Sequence, residues 1–267
     1  MNSSKKLSDI RKNHYKFQRE DAIKQFGIYL EFKKNPYTFL RWKMIMEIST
    51  FLIYFFIRTN LSANFITIIY ILLAPFGFFL IISGNNSLVV TGLIVFFLKN
   101  IFDYVDGYIA RYRKESSLKG AALDSYGAFV GDIFFKCGIS IFLFNQYNEV
   151  IFLYCAVIIL LCNALSINHY CKSIFFDYFS KNPDELKNYR SADQKDSINK
   201  NIYHNLKRSF IFLESIFDDR ARSTDLMLLL ILLNVFFDIK IISYILFFIT
   251  FKSLLKLIAT FINYFLK

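Results

Sequence analysis

The 267-residue sequence has few of the residues that break or bend a chain, with nine Gly and three Pro. That scarcity excludes collagen-like, low-complexity and disordered readings, which need Gly, Pro and polar residues in bulk. Cysteine is sparse too. Cys137, Cys155, Cys162 and Cys171 show no C-x-x-C spacing and fall in or beside apolar runs. They read as small buried hydrophobes, not as disulfides or zinc ligands. His14, His169 and His204 are too scattered to form a metal-binding pair. The N-terminal MNSSKKLSDIRKNHYKF lacks an apolar stretch, so it does not read as a secretory signal. Acidic residues are the minority, 21 against 32 Lys+Arg, for a net charge of +11.

Such a charge suits a nucleic-acid binder, but the rest of the composition does not. The hydrophobic set makes up 55% of the chain, Phe alone supplies 33 residues, and the mean hydropathy is +0.38. Several apolar runs are long enough to cross a bilayer, which takes about 20 residues as a helix. The excess charge must then lie between membrane segments. The sequence describes an all-α polytopic membrane protein, and no nucleic-acid partner is expected.

Six runs qualify as spans: Asn64–Ser83, Leu88–Tyr112, Gly120–Phe144, Val150–Tyr170, the short Ser223–Phe237, and Ile241–Leu266. The turns after the first, third and fifth hold a single basic residue, Lys240. On the opposite side, residues 1–45 carry eleven Lys/Arg and the 171–222 connection carries ten. The turn between the second and third spans adds Arg111, Arg113, Lys114 and Lys119. The positive-inside rule therefore predicts that both termini and these connections are cytoplasmic.

Residues Arg41–Asn60 have an apolar core too short for a comfortable span, with Glu47 near its start. Trp42 between Arg41 and Lys43 suits an amphipathic helix lying along the inner interface. A seventh span is the alternative. The expected organisation is a cytoplasmic N-terminal extension and interfacial helix over residues 1–60, followed by a six-span membrane domain over 61–267. Within the 171–222 connection, Ile202, Leu206, Phe210 and Leu213 recur at helical spacing. They predict a surface helix, either a lid over a cytoplasmic site or part of a solvated connector.

Charged residues inside spans are costly and are functional candidates by default. Here they cluster where the second span ends and the third begins. Asp103 and Asp106 are i, i+3 on one helix face, and Gly120 and Asp124 are i, i+4 on the next helix. Gly107 and Ala110 leave room for a ligand, and Arg111 is suited to pairing with a phosphate. Two helices joined by so short a turn pack as neighbours, which predicts that Asp103, Asp106 and Asp124 converge at the cytoplasmic rim. Carboxylates without Cys or His partners are hard ligands, suited to Mg²⁺ or Mn²⁺. The bland alternative is that they are helix-end charges satisfied by Arg111, Arg113 and Lys99.

The run D-x2-D-G-x2-A-R-x8-G-x3-D, from Asp103 to Asp124, resembles the signature of the CDP-alcohol phosphatidyltransferase family. Seven such fixed positions recur by chance at on the order of one in 10⁸ sites. The resemblance is strongest over residues 61–145. It implies a membrane enzyme that moves a substituted phosphate from a CDP-linked donor to an alcohol and releases CMP, generally as a homodimer. It further implies that Asp103, Asp106 and Asp124 bind the metals and that Gly107 and Arg111 contact the donor, with Ala110 and Gly120 lining the site. Ser117 stands where the family often has a Ser near the diphosphate. Leu61-SANFIT-Thr67 is similar to the family's P-N-x-x-T opening, with Ala63 in place of Pro. That makes Asn64 and Thr67 candidate donor-binding groups, against the alternative of a helix cap.

One position departs from the family pattern, which continues G-x3-D-x3-D with its last Asp as metal neighbour and general base. Here that position is Ala128, which can neither take a proton nor bind a metal. Asp132 lies roughly 12 Å further along the helix and about 80° around it, so it is a poor substitute and is expected to pair with Lys136. Three readings stay open: another group, a water or the acceptor supplies the base; the chain is a weak or inactive relative; or Ala128 is an engineered change.

The reaction expected from the resemblance is phosphotransfer in phospholipid synthesis, in a bacterial-type inner membrane. CDP-diacylglycerol is the favoured donor over a soluble CDP-alcohol. Lys99, Arg113, Lys114, Lys252 and Lys256 are candidates for a basic pocket that would receive a phosphorylated acceptor. A non-catalytic protein that binds CDP-lipid and metal is the rival reading.

Overall fold

The computed structural model describes residues 6–26, 36–165, 230–237 and 241–265, with a few positions between 175 and 185. The described chain is helical throughout and contains no strand. The helices are α1 (Leu7–Phe26), α2 (Pro36–Phe56), α3 (Ala63–Ile81), α4 (Asn86–Arg113), α5 (Leu118–Tyr147), α6 (Ile151–Ala164) and α7 (Ile241–Phe265). Residues 230–237 are helical as well.

Four helical segments are long and apolar enough to cross a membrane: Ala63–Ile81, Asn86–Arg113, Leu118–Tyr147 and Ile241–Ile258. They correspond to the first, second, third and sixth predicted runs. In the fourth run, α6 is apolar but only 14 residues long, and residues 166–170 lie outside the described chain. Only 230–237 of the fifth run are described. The surface helix predicted around 199–217 also lies outside.

The central spans run further than hydropathy suggested, because polar residues serve as caps. Asn85 accepts from Ser87 N at the start of α4. At the far end of α5, Asn145 to Tyr147 stay helical and Asn148 closes the helix in the left-handed conformation. Asn145 Nδ2 donates to Ile82 O at 3.0 Å, tying that end of α5 to the end of α3.

α3 packs on both α4 and α5, α5 on α6, and α6 on α7. The α3–α4 crossing is close because both sides are glycine: a methyl at Gly92 would lie 2.8 Å from Gly77 O. Small residues at the contact let helix backbones approach where lipid provides no hydrophobic drive between spans. The far half of the bundle is an apolar core of residues such as Ala74, Ile81, Leu93, Phe96, Phe142 and Leu143. A second apolar cluster at the other end joins Ile10, Ile53, Ile66, Ile101, Val105 and Tyr108.

That second cluster contains α1, which the sequence reading left unassigned. Ile10 and His14, one turn apart, are 1% and 0% exposed against α2 and α4. Glu47, the residue that made α2 an awkward span, accepts from Arg11 (2.5 Å) and from Tyr15 Oη (2.6 Å) on α1. Burial raises the Glu47 carboxyl, but the Arg11 and Tyr15 hydrogen bonds prevail and hold it below its ordinary value. α1 therefore supplies the polar partners that α2 lacks.

Candidate metal centre

The site forms where α3 begins, α4 ends and α5 begins. α4 closes on Lys114 in the left-handed conformation, with Glu115 N donating to Ala110 O at 2.9 Å. Ser117 then caps α5, its Oγ accepting from Gly120 N at 3.0 Å. Arg113 fastens the preceding loop by donating to the carbonyls of Phe56 (3.0 Å), Thr59 (2.6 Å) and Leu61. Its guanidinium is therefore a structural clasp, which corrects its place among the candidate phosphate ligands.

Between these helix ends, one carboxylate oxygen each from Asp103, Asp106 and Asp124 lies within 4.8 Å of the others. Asp106 is buried, Asp103 partly buried and Asp124 exposed. Among the described residues, no ion pair links any of the three to Arg111, Arg113 or Lys99. The helix-end alternative therefore does not describe the site. Two carboxylates 4.8 Å apart repel by about 3.5 kcal/mol at an effective dielectric of about 20, and a cation between them reverses that sign.

The donor set fits a hard divalent ion. Mg²⁺ binds oxygen at about 2.1 Å, so Asp103, Asp106 and Asp124 would draw together by about 0.6 Å or more from the 4.8 Å limit of this arrangement to hold one ion. Two hydroxyls orient the carboxylates. Thr67 Oγ1 donates to Asp106 Oδ2 at 2.5 Å, and Tyr70 Oη donates to Asp124 Oδ1 at 2.7 Å. Partners of this kind fix the direction in which a ligating carboxylate presents its lone pairs.

The predicted donor-binding positions separate by environment. Asn64 is exposed at the start of α3 and faces Gly120, where a methyl would lie 3.1 Å from Asn64 Oδ1. Thr67 is buried behind Asp106, and the cap of α3 is Ser62, so neither Asn64 nor Thr67 is the helix cap. Gly107 is different from Gly120: a methyl there would meet only the Arg111 guanidinium, at an ordinary 3.6 Å. Packing does not demand glycine at 107, where the Arg111 guanidinium lies over the backbone next to Asp106. Arg111 is exposed, with Cζ 5.7 Å from the centre of the Phe17 ring of α1. Ala110 packs on the apolar cluster under α1 and α2. Ala128 is exposed one turn beyond Asp124, and Asp132 pairs with Lys136 at 2.6 Å.

Sequence reasoning missed Tyr70 and the glycines that admit it. A methyl at Gly127 would come within 2.6 Å of Tyr70 Oη, so only glycine lets the tyrosine reach Asp124. A hydroxyl-bearing tyrosine among the Ile, Leu and Phe of the first span was the available signal.

Residues 60–175 match the family model for CDP-alcohol phosphatidyltransferase, a segment that contains α3 to α6 and the complete motif. No curated protein and no solved structure matches the chain. The matched family consists of transferases that move a phosphoalcohol from a CDP-alcohol donor and generally depend on a divalent metal.

Proposed function

We propose that the chain is a metal-dependent CDP-alcohol phosphotransferase whose metal ligands are Asp103, Asp106 and Asp124. The observation that carries the reading is the meeting of these three side chains, from two helices, inside the segment that matches the family. A bound Mg²⁺ or Mn²⁺ would neutralise the donor's diphosphate and polarise the phosphorus under attack. The chain's own residues then divide the remaining work. Thr67 and Tyr70 hold Asp106 and Asp124 in their ligating orientation. Arg111, without an ion pair to a carboxylate among the described residues and lying over Gly107, pairs with a donor phosphate. Asn64, Ser117 and Gly120 line the approach to the diphosphate, and Ala110 packs behind it on the apolar cluster.

The favoured donor is CDP-diacylglycerol, because the site opens at the end of membrane-crossing helices where a lipid headgroup resides. The acceptor is an alcohol, and the product is a phospholipid. We place the basic rim and both termini on the cytoplasmic side of a bacterial-type inner membrane, with six spans in residues 61–267 and residues 1–60 as an extension on that side. A homodimer is the expected assembly. The test is CMP release by purified protein with Mg²⁺ or Mn²⁺, using CDP-diacylglycerol, CDP-choline and a panel of alcohol acceptors. CMP from the lipid donor supports the reading; no CMP from any combination sinks it.

Ala128 supports a second reading, a protein that binds CDP-lipid and metal but turns over slowly. Ala128→Asp separates the two. A gain in turnover without a change in nucleotide affinity would mark a missing base, and no gain would place the base elsewhere.

A further inference from the structure

Lys99 sits one turn before Asp103 on α4 and is 7% exposed. Its side chain crosses to α5 and lies against Gly131, where a methyl would come 2.5 Å from Nζ. The amine also stands 5.2 Å from the centre of the Tyr70 ring, whose hydroxyl holds Asp124. No hydrogen bond or ion pair engages it among the described residues. The carboxylates in electrostatic reach are Asp103, Asp132, Asp124 and Asp106, and Asp132 is already held by Lys136.

An ammonium buried inside a membrane bundle is costly unless opposite charge compensates it. The uncompensated charge nearby is the aspartate cluster. Three carboxylates and one ammonium sum to −2, the complement of a single divalent ion. A pair of divalent ions would leave the same site at +2 before any ligand arrived. Ala128, exposed one turn beyond Asp124, offers no oxygen to help hold a second ion.

We propose that Lys99 is a built-in counter-cation of this centre and that the centre consequently holds one divalent ion, with the ammonium in place of a second. The inference rests on the reading of Asp103, Asp106 and Asp124 as metal ligands. Lys99 is a positioning residue here. It fixes the charge of the site and packs under the Tyr70 ring that orients Asp124, without reaching the reacting atoms.

The test is a Mn²⁺ titration of the purified full-length chain, with bound ion counted by electron paramagnetic resonance and no turnover required. The wild type is expected to bind one Mn²⁺. Lys99→Met, which keeps length and removes charge, should bind Mn²⁺ at least about tenfold more tightly. Lys99→Gln should agree with it, and Lys99→Arg should behave as the wild type. Ala128→Asp alone should still bind one ion, whereas Ala128→Asp with Lys99→Met should bind two. Two ions on the wild type, or Lys99→Met and Lys99→Gln with unaltered affinity and stoichiometry, would overturn the role of Lys99 alone. Mn²⁺ binding that survives Asp106→Asn, or no binding by wild type and Lys99→Met alike, would remove the metal-site reading and this inference with it.

Discussion

Two buried lysines of this molecule meet carboxylates in opposite ways. Lys136, 2% exposed, lies in the interior of α5 and closes on Asp132 one turn away, at 2.6 Å. Lys99, on the neighbouring helix and nearly as buried, faces a cluster of aspartates without pairing with any. The first arrangement pairs one positive with one negative charge, so the pair itself carries no net charge. The second retains net negative charge at an open rim, which only a ligand can balance. Buried charge alone does not mark a site; buried charge left unbalanced does.

The strongest way to break this comparison is to neutralise the rim. Asp106→Asn, and likewise Asp103→Asn or Asp124→Asn, should weaken Mn²⁺ binding by at least about 100-fold, beyond the 10–100-fold typical for losing a group that only orients a ligand. CMP release should fall in parallel. Wild-type Mn²⁺ affinity in all three variants would erase the distinction between the two lysine environments.

The interior pair should respond in the other currency, stability. Asp132→Asn leaves Lys136 buried without its counter-charge and should cost about 3–5 kcal/mol in thermal or denaturant unfolding. The Mn²⁺ stoichiometry of the folded fraction should not change. Asp132→Asn combined with Lys136→Met should recover most of the loss.

Tyr70→Phe probes the seam between the two. It removes the hydroxyl that holds Asp124 while keeping the ring under Lys99, and should weaken Mn²⁺ binding by about tenfold to 100-fold. Its unfolding free energy should change by only about 1–2 kcal/mol, the scale of one hydrogen bond.

The smallest effect concerns the outer layer of the rim. His14 hydrogen-bonds through Nδ1 with Thr50 Oγ1 at 3.1 Å, packs edge-on to Tyr108 and, among the described residues, leaves Nε2 buried without a hydrogen-bond partner. Burial first, and the charge of Arg111 second, depress its pKa from 6.5 to about 3. The folded state thus favours neutral His14. Its contribution to holding α1 is complete above pH 6.5 and is lost progressively as the pH falls from 6.5 towards 3. Amide exchange within α1 should be faster at pH 5 than at pH 7.5, and His14→Gln should flatten that difference.

The meeting of the three aspartates is legible in the sequence. Asp103, Asp106, Gly107 and Arg111 lie on one helix, so their spacing alone places them on neighbouring positions of one face. The connection to Gly120 is short enough to force an antiparallel return, which brings Asp124 to the same end. The expected Asp132–Lys136 pair has the same local origin and is present. The partners of these residues were not legible. Tyr70 is 54 positions from Asp124, and their contact depends on a cleft opened by Gly127. Arg113 appeared as a phosphate ligand because its charge is visible in sequence while the three carbonyls that take it up are not.

By itself, then, the sequence determined the membrane class, the four helices long and apolar enough to cross a membrane, and the convergence of the motif's carboxylates. All of these follow from composition and from the fixed periodicity of a helix. Only the tertiary structure decided which charges are balanced. Balance depends on side chains from different helices at distances of a few ångströms, and those distances are set by packing: the glycines of α5 admit Tyr70 and Lys99, and α1 completes Glu47.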